Sequence, residues 1–310
     1  MHTLIYDWGT RPDFLLRRLY PDARLVAAQP LLDASRIVSE ARSDYKDTIV
    51  EGEKLWFFHL NLSATGKWLP GRGKIMASLK ALGYRLVNEH IVDTRKSRVQ
   101  RLNRDLGLPH VEVGKGDDPD LKVIVKTDYN YGGALESRLS HAEINSLDLK
   151  APEGCQIRDF DKYYVCPLAE VSDEVWRDQR LVVERYIDNP SGLFYRFYRN
   201  GSRVVLSEVV NNAVVKKMLP GLPRRNWYYS LSEMGLTLQP SCPAHPNGSV
   251  FSSLTDNAVK ICAALQLEFG AMDIVVDGVG RPYIIDINPT PGWGVEKQSG
   301  ILDFLRGGFR

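Results

Sequence analysis

The chain has 310 residues, 40 Lys and Arg against 38 Asp and Glu, a net charge of +2 and 44% hydrophobic residues, an ordinary globular composition long enough for two or three domains. With charge balanced and no long single-sign run, no general nucleic-acid or membrane surface is expected, and no apolar stretch approaches the roughly 20 residues of a membrane span. Cys155, Cys166, Cys242 and Cys262 form no C-x-x-C pair and no secretory leader is visible, which fits a soluble, reduced, cytoplasmic protein better than a zinc or disulfide scaffold.

Residues 1–90 alternate short strands (3–6, 55–60, 84–88) with helices. One helix covers 12–20; another runs through Ile75, Leu79 and Leu82 and stops at Gly83. That alternation predicts a small α/β layer. Asp93 is placed to cap a helix that reaches about 106 on a stripe of Val99, Leu102 and Leu106 and ends at Gly107 and Pro109. Arg95, Lys96, Arg98, Arg101 and Arg104 make this the densest basic stretch, the ordinary pattern of a solvated helix face. A polar loop (114–120) leads to an apolar strand (121–127). Residues 137–178 show no clear periodicity and break at Pro152, Gly154 and Pro167. A strand at 181–183 follows, then two strands within 195–210 joined at Asn200-Gly201. Residues 220–246, rich in proline and aromatics, read as a loop or lid. Ala258, Ile261, Cys262 and Leu265 predict an amphipathic helix over 255–267, and a last hairpin follows.

That hairpin carries the most chemistry. Two apolar strands flank Asp277-Gly278-Val279-Gly280, and the period of two puts Asp286 and Asn288 on one face, Ile285 and Ile287 on the other. Pairing Val276 with Tyr283 sets Asp273 opposite Asp286. Carboxylates paired that closely repel unless a cation lies between them. With the Asn288 oxygen added, the donor set suits a hard cation such as Mg²⁺. The plainer alternative is that Asp286 and Asn288 cap the loop before Pro289 and Pro291. Upstream, Lys126 sits in an apolar strand and needs an anionic partner, and Gly132-Gly133 forms a loop whose backbone N–H groups could approach phosphates. The six histidines show no ligand spacing and read as structural or surface residues.

The segment 269–292 resembles the C-terminal metal-binding hairpin of the ATP-grasp superfamily, and is most similar to its glutathione synthetase and ribosomal-protein glutamate ligase (RimK-like) type. The resemblance implies that Asp273, Asp286 and Asn288 hold magnesium, with manganese as the alternative, although glutamate is commoner where Asp286 stands. It implies an α/β (α+β) ATP-grasp fold. Residues 1–90 would form a pre-ATP-grasp α/β domain, 91–180 a central subdomain with the glycine loop, and 181–310 a C-terminal subdomain with the metal hairpin. Lys96 would lie on a phosphate, which would account for a cation in the first turn of a helix. Lys126 would contact the ATP phosphates while Gly132 and Gly133 close over them. Glu184, with Arg185, Tyr186, Ile187 and Asp188, would meet the adenine and ribose. Arg196, with Arg199 as rival, would face the transferred phosphoryl and the substrate carboxylate. Lys216 and Lys217 would lie on the substrate side. Apart from the resemblance, Arg224 and Arg225 stand in a proline-rich loop that reads first as solvated, with contact to an acidic substrate as the alternative.

The activity implied is ATP-dependent carboxylate–amine ligation through an acyl phosphate, with Arg196 and Lys126 catalytic. Amino acids or peptides would be the substrates, with a peptide or carrier protein as acceptor. Homo-oligomers are common in such enzymes. The alternatives are a kinase of the same superfamily and a non-catalytic ATP-binding protein.

Overall fold

A computed structural model describes residues 2–8, 12–28, 34–47, 53–66, 71–146, 163–211, 213–214, 222–240, 242, 248–293 and 299–309. The first layer is a parallel sheet of β1 (His2–Trp8), β2 (Arg24–Ala27), β3 (Lys54–Leu60) and β4 (Tyr84–Val87) in the order β2-β1-β3-β4. Parallel neighbours need crossovers, supplied by α1 (Leu15–Leu19), α2 (Ala34–Asp47) and α3 (Arg72–Ala81). The central strands are apolar on both faces. Tyr6, Trp56 and Phe58 pack toward α2 and α3, while Ile5, Leu55 and Phe57 pack toward α1 and the C-terminal end of the chain. The helix read over 12–20 is shorter than expected, because Phe14 instead bridges to Gly292. Neither β2 nor α2 stands out in the sequence, since Ile37 and Ala41, the buried apolar residues of α2 among its described side chains, are set among polar residues.

The middle of the chain holds α4 (Lys96–Asp105), β5 (Lys122–Thr127), α5 (His141–Ser146), β6 (Tyr164–Pro167), α6 (Asp173–Arg177) and β7 (Leu181–Arg185). These strands form an antiparallel sheet in the order β6-β5-β7, so β7 belongs with the middle segment, while α4 packs on the last strand of the next sheet. Asp93 does not cap α4. Its carboxylate takes the Arg95 N–H (3.1 Å) and guanidinium (2.7 Å), and the open end of the helix is closed by Asp128, which accepts from Ser97 N (2.7 Å). Leu106 is exposed, and the inner stripe of α4 is Lys96, Val99, Gln100 and Asn103.

The last layer is a six-stranded antiparallel sheet of β8 (Leu193–Asn200), β9 (Arg203–Val210), β10 (Leu222–Ser232), β11 (Gly235–Leu238), β12 (Phe269–Val276) and β13 (Pro282–Asn288) in the order β11-β10-β9-β8-β12-β13. The segment read as a loop or lid over 220–246 thus supplies two strands. Trp227 and Tyr229 alternate into the core with Tyr228 and Ser230 on the other face, and a bulge follows Pro223. The β8–β9 turn is Gly201-Ser202, one residue later than expected, because Asn200 pairs with Arg203. α7 (Gly248–Leu265) starts earlier than the predicted 255, extending its apolar stripe through Phe251 and Leu254. It covers one face of the sheet with α4. α8 (Ser299–Arg306) covers part of the other face, where Ile301, Leu305 and Phe309 join Tyr198 and Val205 to the first sheet. Cys166, Cys242 and Cys262 are free thiols, and among the described residues no helix is long and apolar enough to cross a membrane.

Candidate active site

The face of the large sheet turned away from α7 carries a polar row in unbroken register: Asp286 opposes Asp273, Asp273 opposes Arg196, Arg196 opposes Ser207, and Ser207 opposes Asn226. Period-two alternation puts all five side chains on one side. An apolar row, Tyr283–Val275–Phe194–Val209, borders it on one flank. On the other runs Asn288–Ala271–Tyr198–Val205–Tyr228.

The facing aspartates depend on a β-bulge. Near the turn the pairing is Val276 with Pro282, Val275 with Tyr283 and Ile274 with Ile284, one residue off the expected register. Ile285 is the extra residue, and it returns Asp286 to its place opposite Asp273. Ile285 and Ile287 therefore do not share a face, contrary to simple alternation. Ile285 packs with Val111, Val275 and Tyr283, whereas Ile284 and Ile287 both enter the core beneath α7. A bulge breaks the ladder locally, and α4 satisfies the carbonyl involved. Gln100 Nε2 (3.0 Å) and Asn103 Nδ2 (2.9 Å) both donate to Ile284 O, while Gln100 Oε1 accepts from Val111 N (3.2 Å). Sequence reading passed over these two amides. Their signal was position, because they flank Val99 on the buried stripe where leucines would be ordinary.

Arg196 grips Asp273 through Nε–Oδ1 (2.7 Å) and Nη2–Oδ2 (3.3 Å). Arg199 lies on the opposite face, bonds Gly201 O (3.0 Å) and does not meet the row. Arg225 stands opposite Glu208 rather than on the row, and Lys216 and Lys217 lie outside the described residues. The anion that the Lys126 ammonium needs is Glu184, at 2.6 Å, both side chains being buried. Burial holds the Glu184 carboxyl above its ordinary value, and Lys126 reverses this only in part. Lys96 is also buried and donates to Tyr129 O. Arg185 N bonds Val111 O (2.8 Å) and Tyr186 N bonds Lys122 O (2.9 Å), fixing the exit of β7. Ile187 joins Val111, Val275 and Tyr283 in an apolar patch beside the bulge, and Asp188 is exposed. His59 is buried, with Nδ1 3.2 Å from Asp7.

The glycine loop turns through left-handed φ at Tyr131 (51°), Gly132 (67°) and Gly133 (74°). A Cβ at Gly132 would meet nothing within 4 Å, so glycine there answers the backbone angle and not crowding. Tyr131 holds the loop against the end of β13. Its hydroxyl accepts from Asn288 Nδ2 (2.8 Å) and Gly292 N (3.2 Å) and donates to Thr290 O (3.1 Å). Asn130 Nδ2 adds a bond to Ile287 O (3.1 Å). Asn288 Oδ1 accepts from Thr290 N (3.1 Å), so this residue also caps the turn before Pro291. The Thr290 hydroxyl meets Asn61 Oδ1 (2.8 Å), and Leu15 N bonds Pro291 O (2.9 Å), so all three sheets converge on 288–293.

Two carboxylates in facing positions with an amide oxygen one step along the strand form an all-oxygen donor set of the kind Mg²⁺ takes. Among the described residues no group of three or more His, Cys, Asp or Glu could hold a metal alone, so a cation here would draw the rest of its shell from phosphate and water. The residues fit that use, with Arg196 standing as the cation already present on Asp273.

No protein-family model and no curated protein matches the chain. Among solved structures it is similar to a RimK domain ATP-grasp protein from Sphaerobacter thermophilus, at 12% identity and TM-score 0.48 over 99% of each chain. It is also similar to D-alanine–D-alanine ligase from Bacillus anthracis complexed with ATP, at 13% and 0.45 over 94% of this chain and 87% of that one. A third likeness is to L-amino acid ligase from Bacillus licheniformis, at 10% and 0.45 over 93% of this chain and 66% of that one, so the chain spans less than two thirds of that ligase. At such distances the likeness concerns the path of the chain alone.

Proposed function

We propose that this chain is an ATP-dependent carboxylate–amine ligase of the ATP-grasp type. The observation that carries the reading is the registered row Asp286–Asp273–Arg196, which sets a cation-binding carboxylate pair beside a guanidinium able to grip a phosphoryl or carboxylate group. Asp273, Asp286 and the Asn288 oxygen would hold Mg²⁺ or Mn²⁺, which would supply neutralising charge for the ATP phosphates. Glu184 uses one of the three donors on Lys126, and the other two serve a phosphate. Lys96 and the N–H groups around Gly132 and Gly133 add to the same cradle. The exit of β7, from Glu184 to Asp188, frames adenine and ribose against the patch of Ile187, Val275 and Tyr283.

In the first step a carboxylate oxygen of the substrate attacks the γ-phosphorus, the bond to the β,γ-bridging oxygen breaks, and ADP leaves. In the second, an amine attacks the acyl carbon, inorganic phosphate leaves, and the nitrogen loses a proton. Arg196 spreads the charge that builds on the transferred group. Tyr131, tied to Asn288 and Gly292, keeps the glycine loop down over the phosphates and excludes water that would hydrolyse the acyl phosphate. Ser207 and Asn226 extend the polar floor beyond Arg196, which suits an amino acid or peptide substrate.

The test is phosphate release from Mg-ATP across a panel of amino acids and peptides. The expected result is release that requires a carboxylate and an amine together and falls roughly 100-fold or more in Asp286→Ala. ADP formed together with a phosphorylated alcohol would assign a kinase instead, and tight ATP binding without turnover on any pair would assign a non-catalytic role.

A further inference from the structure

Two steps along the same sheet face, about 13 Å from the Arg196 row at roughly 3.3 Å per residue, lies a second concavity. α8 stands between them, with Phe304 packed on Tyr228 at 5.1 Å. It is a hollow open to solvent, of about 550 Å³, lined by Arg203, Ser230, Gln239, Asp303, Phe304, Arg306 and Gly307. That volume lies within the range of small-molecule sites, roughly 300–1,000 Å³.

Its charges are unevenly matched. Arg306 is paired with Asp303 (2.7 Å) and reaches Arg18 O (3.2 Å). Arg203 is in no ion pair among the described residues, yet its guanidinium is fixed. Nη1 donates to Ser230 Oγ (2.9 Å), and the group lies 4.9 Å from the Phe304 ring centroid. A solvated surface arginine would be spread over many rotamers; this one is held in one orientation without a counter-ion. Its remaining edge, Nε and Nη2, faces Gly307, where a Cβ would lie 3.7 Å and 4.0 Å from the two nitrogens. With glycine at 307, no side chain comes over that edge from this position. Two parallel N–H donors on one edge match the two oxygens of a carboxylate. Ser230 Oγ already accepts from Arg203 and from Gln239 Nε2 (2.6 Å), so its own proton is directed elsewhere, and no described residue takes it. The acid in the lining, Asp303, is paired with Arg306, so the hollow offers donors around Arg203 and no described carboxylate meets that guanidinium.

We propose that this cavity is a second ligand site, separate from the polar row, that binds a carboxylate-bearing molecule. Arg203 is its bidentate anchor and Ser230 and Gln239 supply further donors. The carboxylate belongs either to a free organic acid or to the C-terminus of a peptide, and the probes separate the two. The experiment is calorimetric titration of the full chain with glutarate, with a pentapeptide bearing a free C-terminus, with the same peptide amidated, and with inorganic phosphate. Saturable binding of glutarate points to a free acid; binding of the free peptide and not its amide points to a peptide terminus. In either case Arg203→Gln is expected to weaken binding about tenfold or more, as loss of a charge-assisted pair of hydrogen bonds requires. Gly307→Leu, which brings a side chain over that edge, should do the same, and serves alone if Arg203→Gln does not fold. Arg196→Gln should leave this binding unchanged, which locates it away from the row. The proposal is overturned if no carboxylate probe binds saturably to the folded wild type, if Arg203→Gln and Gly307→Leu bind the probe as tightly as the wild type does, or if only phosphate binds. Absence of ligase activity would leave all of these readings intact.

Discussion

Lys96 occupies the first turn of α4, where the positive end of the helix disfavours a cation. The structure answers with Asp128, whose carboxylate closes the helix end, and with burial of the ammonium against Tyr129 O near the acids Glu136 and Glu184. Glu136 is buried and accepts from Ser63 N (2.8 Å); burial pushes its carboxyl above its ordinary 4.5, and the Ser63 bond only partly reverses this. Between 4.5 and the raised value the folded chain keeps a proton that the unfolded chain releases, so stability falls as pH rises through that window. Glu136→Gln removes this titration. Urea denaturation from pH 4.5 to 8 should show the variant gaining on the wild type as pH rises and then levelling off; a pH-independent difference would mean that native Glu136 is ionised throughout. Lys126→Met should cost about 3–5 kcal/mol by leaving Glu184 buried without its cation, and adding Glu184→Gln should recover part of the loss. That Lys126 needed an anion was legible in the sequence. That Glu184 is the anion was not, because it follows from β5 pairing with β7 across nearly sixty residues of chain. Asp93 was misread as a cap for the same reason, since the true cap lies far away in sequence.

Among the elements, the hairpin of β12 and β13 shows how close a sequence argument can come. Alternation and turn position placed Asp273 opposite Asp286, and they are opposite, but only because Ile285 bulges out and corrects a slip at the turn. No local signal marks the bulge. Its support comes from α4, through Gln100 and Asn103 on Ile284 O, two residues before Asp286. Asn103→Leu should cost about 1–3 kcal/mol for the weakened carbonyl. If the register positions the cation site, it should also raise the Mg²⁺ concentration needed for half-maximal phosphate release, with less effect on the substrate KM. A stability loss with an unchanged Mg²⁺ profile would confine the two amides to packing. Elsewhere the prolines between 220 and 246 hid β10 and β11, although the inward alternation of Trp227 and Tyr229 was available. Polar composition hid α2.

Across the whole molecule, the sheets share their cores. Ile5, Leu15, Leu55 and Phe57 of the first layer are covered by Phe269, Ile301, Leu305 and Phe309 from the far end of the chain. Gly308 seats this end so tightly on the β8–β9 turn that a Cβ there would lie 1.7 Å from Asn200 O. A fragment ending at 90 should therefore bind hydrophobic dye or aggregate where the full chain does neither; a monomeric, dye-silent fragment would show that the first sheet is self-sufficient. During synthesis at roughly 5–20 residues per second, α8 leaves the ribosome on the order of 10–50 s after β3. For that interval the first sheet carries a naked aromatic face, and in a cell such a face draws holdase chaperones. The yield of folded protein should therefore depend on chaperone supply more than on the final stability of the chain, and slowing translation over the last fifty codons should lower it.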